Sequence, residues 1–128
     1  MNWIDDNLAV GDLVDAFNLE LQRKEGIIFC MDVRCCFDVK HRDNISHEEV
    51  PNLHRCFQFV NGLLDLVETN KVLIHCMGGM DRSPFIAMLY YSIKHNVPFA
   101  VAYRVIREKR PQTIEHPEWS QLLYKNNT

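Results

Sequence analysis

The chain lacks any run of apolar residues long enough to cross a bilayer. Nothing in its 128 residues approaches the roughly twenty that a spanning helix requires. It lacks a charged-then-apolar leader, opening instead with Met1-Asn2-Trp3-Ile4-Asp5-Asp6. Both absences are read as a soluble, cytoplasmic protein. It lacks an excess of positive charge. With a net charge of −3 it projects no global basic field to attract DNA or an anionic membrane. It lacks a disulfide framework, because Cys30, Cys35, Cys36, Cys56 and Cys76 are odd in number and unpatterned, as expected of reduced thiols. The pair Cys35-Cys36 is vicinal, and a disulfide there would be strained. His41, His47, His54, His95 and His116 show no metal-ligand spacing and are read as surface or packing residues. Internal repeats and low-complexity linkers are also missing. What remains is one domain spanning 1–128, 47% hydrophobic and long enough to bury a core without metal or disulfide staples.

What is present is concentrated in Val72-Leu73-Ile74-His75-Cys76-Met77-Gly78-Gly79-Met80-Asp81-Arg82-Ser83. Apolar residues of β character run into a cysteine, a glycine pair follows, and an arginine stands six positions after the cysteine. Ser83-Pro84 then opens a long helical pattern. Glycines permit backbone angles that would clash elsewhere, so successive N–H groups can turn inward and cradle an anion. The following helix adds unpaired N–H groups and its positive dipole end. Arg82 offers a planar fork for two phosphate oxygens. Cys76 lies at the base, where these positive features favour the thiolate, the nucleophilic form. Spacing alone does not carry this reading, since Cys36 and Arg42 are also six apart. Phe37-Asp38-Val39-Lys40-His41 between them alternates like a strand and has no glycine, so that second match reads as coincidence. The plain alternative for Cys76 is a small buried hydrophobe at a strand end.

The nonapeptide from His75 to Ser83 resembles the His-Cys-x5-Arg-Ser/Thr signature of the cysteine-based protein tyrosine phosphatases, in their small dual-specificity branch. The opening Leu8-Ala9-Val10-Gly11-Asp12 through Asp15-Ala16 resembles that branch too, and the likeness covers nearly the whole chain. It implies a single phosphatase catalytic domain using a cysteinyl-phosphate intermediate and needing no metal or organic cofactor. Cys76 is then the nucleophile. The backbone of Met77, Gly78, Gly79, Met80, Asp81 and Arg82, with the Arg82 side chain, binds phosphate, or vanadate in its place. Ser83 donates to the Cys76 sulfur and eases thiolate departure, though it also suits a helix N-cap. His75 supports the thiolate structurally. The resemblance implies an aspartic acid on a loop upstream of the cysteine, after a strand and before a helix. Asp43 sits in such a place, with Asp38 as the alternative. Asp81 departs from the usual dual-specificity loop. An aspartate directly before the arginine resembles the loops of myotubularin-type and Sac-type phosphoinositide phosphatases. Ionised beside a phosphate it would repel the dianion, so either it serves as an acid itself or it points away and pairs with a lysine or arginine. It also complements a helix N-terminus.

Taken in order, Trp3 to Val10 reads as a first strand, followed by a Gly11-Asp12 turn and one helix from 13 to 24 that Gly26 ends. Ile27 to Val33 reads as a strand buried on both faces. A further strand follows from Cys35 to His41, then a loop at Arg42-Asp43-Asn44. The second helix is placed at 51 to 69 with Pro51 in its first turn. A helix buried all round is expected from Ser83 to His95, another from Pro98 to Arg110-Pro111, and a last one from Pro117 to Lys125. Arg104, Arg107, Lys109 and Arg110 read as a solvated basic face or a docking patch. The fold class is α/β: a small, mostly parallel central sheet of four to five strands flanked by helices.

Three functions remain. The leading one is a phosphatase for phosphotyrosine, and for phosphoserine or phosphothreonine, in protein substrates. Phosphoinositides and RNA 5′-phosphates would be served by the same chemistry. The second is a pseudophosphatase that binds phosphorylated partners without turnover. The third is a rhodanese-like sulfurtransferase or an arsenate reductase.

Overall fold

A computed structural model of the chain describes residues 1–42 and 46–125. The elements are β1 (Asn2–Trp3), β2 (Leu8–Gly11), α1 (Leu13–Phe17), α2 (Leu19–Glu25), β3 (Ile27–Asp32), β4 (Phe37–Arg42), β5 (Ser46–Pro51), α3 (Leu53–Leu66), β6 (Lys71–His75), α4 (Arg82–His95), α5 (Phe99–Lys109) and α6 (Pro117–Lys125). The architecture is α/β. A four-stranded sheet of order β1-β2-β6-β3 is parallel except for β1, and helices flank it. β6 occupies the middle, with β2 and β3 as its parallel neighbours. Its Val72, Leu73 and Ile74 are fully buried, as an apolar run between two strands should be. Among the described residues no helix is long and apolar enough to cross a membrane.

Several local expectations are corrected. The expected first strand is a two-residue β1 that turns back on β2, with the pairs Asn2↔Val10 and Trp3↔Ala9. The expected single helix from 13 to 24 is two. Asn18 takes a non-helical conformation between them and accepts a hydrogen bond from Leu21 N as the cap of α2. The Asp12 cap holds, with Asp15 completing a capping box, and Gly26 ends α2 in a left-handed conformation. β3 is an edge strand rather than one buried on both faces, leaving Ile28 66% exposed. Residues 34–36 form a 3-10 turn before β4. β4 pairs antiparallel with β5 in a separate two-stranded sheet, from Phe37↔Pro51 to Arg42↔Ser46. The polar Ser46-His47-Glu48-Glu49 segment gave no strand signal. Pro51 therefore ends a strand, and α3 begins two residues later behind the Asn52 cap.

α4 runs through the molecular centre, buried at every residue from Ser83 to Tyr90. Its mean apolar pattern has no polar face because sheet and helices cover it on several sides. Two contacts fix its direction. Tyr90 Oη donates to Asp5 Oδ2 at 2.6 Å, tying α4 to the β1–β2 turn. At the other end Phe85 packs against Phe37 of β4, Phe99 of α5 and Trp119 of α6, with ring centroids 5.5–6.1 Å apart. Aromatic pairs of this kind contribute about 1 kcal/mol each beyond area burial. This cluster holds the β4–β5 hairpin and α6 beside the N-terminus of α4.

Candidate active site

The segment from Cys76 to Asp81 links the C-terminal end of the central strand β6 to α4, at the edge of the sheet where open α/β folds gather their ligands. Cys76 is fully buried at its base. Its Sγ accepts from Gly79 N at 3.3 Å and lies 3.3 Å from Ser83 Oγ. Ser83 also reaches the Gly11 carbonyl at 3.4 Å. The structure therefore brings Cys76, Gly79 and Ser83 together as the sequence predicts. Ser83 is the second residue of α4, not its cap. That role belongs to Asp81, whose Oδ1 accepts from Arg82 N at 2.7 Å. His75 is buried, with Nδ1 3.3 Å from the Cys76 carbonyl oxygen, a structural position.

The loop is shaped from behind. The Met77 carbonyl accepts from Leu13 N at 2.8 Å, the Met80 carbonyl from Ile114 N at 2.6 Å, and the Gly79 carbonyl from Arg110 Nε at 2.5 Å. Three loop carbonyls are thus held by the surrounding protein. Gly79 is required here. Its φ is +66°, and a Cβ would stand 2.5 Å from the Gly11 carbonyl oxygen and 2.4 Å from the Arg110 guanidinium. Gly11 in turn lets β2 end close against α1, since its own Cβ would meet the Asp15 carboxylate. Arg110 corrects the sequence reading. It is not part of a solvated basic face but is 2% exposed, and it also donates to Asn2 Oδ1 at 2.6 Å and the Val10 carbonyl at 3.3 Å. Burial pulls its pKa down from the usual arginine value, opposed by the charges of Asp15, Asp12 and Cys76. The only sequence hint of this role was its place before Pro111, at a helix end where a side chain can turn back.

The front of the loop is acidic. The Arg82 side chain is 12% exposed, and its Nη1 donates to Glu49 Oε1 of β5 at 3.0 Å. Its Nε is buried and makes no hydrogen bond among the described residues, with Asp81 Oδ1 3.9 Å away. Asp81 stands between two partners: Arg82 Nε is 3.9 Å from its Oδ1, and His116 Nε2 is 3.3 Å from its Oδ2. A cleft of about 310 Å³ opens here, lined by Glu48, Glu49, Asp81, His116, Glu118 and Trp119. Sequence reasoning missed Glu49 and His116. Neither belongs to a motif, and each reaches the site only through tertiary packing. Asp43 lies outside the described residues. Asp38, the alternative acid, is exposed on β4, ion-paired with Arg55 and bonded to Asn52 Nδ2 at 3.1 Å. Met77 and Met80 are half-exposed at the rim.

The other thiols lie outside this loop. Cys56 Sγ donates to the Cys36 carbonyl at 3.4 Å. The Cys36 thiol is pushed far up by its hydrogen bond with Cys56 and by burial. Burial raises Cys30 and Cys35 as well, so these three stay neutral. All five cysteines are free. Among the described residues no group of histidine, cysteine, aspartate and glutamate is arranged to hold a metal ion.

Comparison with known proteins agrees with this fold. The family model described as "Dual specificity phosphatase, catalytic domain" matches residues 10–128. A probable dual specificity protein phosphatase of Dictyostelium discoideum is 29% identical over 70 residues, covering 55% of this chain and 30% of that protein. Protein-tyrosine-phosphatase IBR5 of Arabidopsis thaliana is 28% identical over 120 residues, covering 91% of this chain and 46% of that protein. The chain thus spans less than half the length of these two relatives. The crystal structure of the human tyrosine phosphatase-like serine/threonine/tyrosine-interacting protein shares the fold, with a TM-score of 0.78 at 16% identity, over 99% of this chain and 95% of that one. Since the family model takes in all but the first nine residues, the chain belongs to the dual specificity phosphatase catalytic-domain family.

Proposed function

We propose that this single domain is a cytoplasmic protein phosphatase acting on phosphotyrosine, and on phosphoserine or phosphothreonine, through a cysteinyl-phosphate intermediate. The observation that carries the reading is the Cys76 sulfur held by Gly79 N–H and faced by Ser83 Oγ, at the base of a loop whose carbonyls are tied outward. In the first step the Cys76 thiolate attacks phosphorus, the S–P bond forms, and the P–O ester bond breaks. The leaving oxygen takes a proton from a carboxylic acid, a role proposed for Asp43. Loop N–H groups and the Arg82 guanidinium hold the equatorial oxygens, replacing water with fixed dipoles. In the second step water attacks phosphorus and the S–P bond breaks. The departing thiolate is stabilised by the Ser83 hydroxyl. No metal or organic cofactor enters these steps.

The acidic front of the loop favours phosphoproteins over polyanionic phosphoinositides or RNA 5′-phosphates, whose additional phosphates would face Glu48, Glu49 and Glu118. The test is release of phosphate from para-nitrophenyl phosphate in EDTA, with wild type beside Cys76→Ser and Asp43→Asn. Turnover in EDTA that falls to background in Cys76→Ser is the expected result. A loss in Asp43→Asn that grows as the leaving group becomes more basic would identify the acid. Vanadate binding without turnover would instead make this a phosphate-binding module.

A further inference from the structure

His116 sits just before α6 with both ring nitrogens facing carboxylates. Nε2 is 3.3 Å from Asp81 Oδ2 and Nδ1 is 3.0 Å from Glu118 Oε1. A neutral imidazole carries one N–H and can donate to only one of them, whereas the imidazolium donates to both. The ring lies flat on Trp119, centroids 3.8 Å apart and planes 14° apart. Trp119 is itself locked among Phe37 and Phe85. The segment that carries His116 also clasps the loop, through Ile114 N on the Met80 carbonyl. The charged groups facing the ring are Asp81 from the loop, Glu118 from α6, and Glu48 and Glu49 across the cleft on β5, with Arg82 beyond Asp81. Asp81 directly precedes the arginine read as gripping phosphate, and its carboxylate lies between that arginine's Nε, 3.9 Å from Oδ1, and the His116 ring.

We propose that His116 is a positioning residue for the phosphate group. Its imidazolium neutralises Asp81 and turns that carboxylate aside, so that an anion can enter the loop beside Arg82. Loss of the proton leaves Asp81 with Arg82 as its one charged partner, so the carboxylate draws on the same guanidinium that phosphate needs and the loop binds phosphate more weakly. The proposal rests on the reading of this loop as a phosphate site. Its physical basis is that a carboxylate within a few ångströms of a bound dianion is opposed only as long as its partner is charged.

The test is the pH dependence of KM for para-nitrophenyl phosphate and of vanadate affinity, between about pH 5.5 and 8, the range in which histidine changes charge. Wild type is compared with His116→Asn, Asp81→Asn and the double variant. The ratio of variant to wild type cancels the titration of the substrate and of Cys76. His116→Asn is expected to weaken binding about fivefold at the acidic end, with kcat little changed, and the two profiles are expected to converge at the alkaline end. In the Asp81→Asn background the same substitution is expected to have no effect. A ratio that stays constant with pH, or an equal effect with and without Asp81, would overturn the proposal and leave His116 a packing residue. His116→Gln, with thermal melting of every variant, separates misfolding from weakened binding. If wild type itself neither turns over nor binds vanadate, the phosphate-site reading falls and the proposal with it. A flat ratio with intact vanadate binding overturns the proposal alone.

Discussion

Two segments of this chain share the spacing of cysteine and arginine, and they fold in opposite ways. From Cys36 the backbone leaves a 3-10 turn and runs straight into β4, paired residue by residue with β5. From Cys76 it curls into a loop that ties its carbonyls outward and turns Gly79 N toward the sulfur. The difference lies in what stands between the two residues and what stands around them. Phe37 to His41 alternates in the period of a strand and finds a strand partner. Met77 to Asp81 contains a glycine at positive φ, pressed against a second glycine at the end of β2. Spacing sets which residues can meet, and the intervening backbone decides whether they do.

The comparison can be broken most severely at Gly79. Gly79→Ala adds a Cβ 2.5 Å from the Gly11 carbonyl oxygen at a left-handed backbone position. The variant is expected to lose about 3 kcal/mol of stability and to lose vanadate affinity by two orders of magnitude or more, read by melting and by titration. Cys36→Ala attacks the other segment. It is expected to cost about 2 kcal/mol through the small void beside Cys56, yet to leave the turnover per folded molecule within twofold of wild type. A larger fall in turnover would show that the second cysteine serves the site after all.

The next effect concerns α4, the helix that grows out of the Cys76 segment. Burial pushes Asp5 up, but hydrogen bonds from Tyr90, Asn7, Lys94 and Leu8 outweigh it and hold its carboxyl below the ordinary 3.8. A carboxyl with a lowered folded pKa contributes stability that is present above its ordinary value. That contribution is lost as pH falls through the folded value. Tyr90→Phe is therefore expected to cost about 1.5 kcal/mol at neutral pH and progressively less below 3.8, as measured by denaturant titration across pH. A cost independent of pH would remove Asp5 from the account. The smallest effect is at the contact between the hairpin and the loop. Glu49→Gln removes the carboxylate that competes with phosphate for Arg82, and it is expected to tighten vanadate binding about threefold. Weaker binding would show that Glu49 instead orients the guanidinium.

The helices were legible because each carries its own signals. Asp12, Gly26 and Asn96 mark ends at the expected places, and the solid apolar face of Phe85 to Tyr90 announces a buried helix. β5 was not legible, since Ser46 to Glu49 is polar and becomes a strand only because β4 offers it a partner. The edge position of β3 was hidden for a related reason. An apolar run looks the same whether one strand or two lie beside it.

The sequence by itself determined which residues stand at the base of the candidate site. Cys76, the glycine pair, Arg82 and Ser83 lie within eight consecutive residues, where a strand, a loop and a helix follow from local preference. Only the tertiary structure decided what surrounds that base. Arg110 came out of an apparent surface cluster to hold the Gly79 carbonyl, Glu49 came to rest on Arg82, and His116 on Asp81. Each of these partners is more than thirty residues from its contact. The physical reason is that a backbone conformation is chosen by neighbours in sequence, whereas an ion pair or a buried guanidinium is chosen by whichever charges the packed core carries into reach.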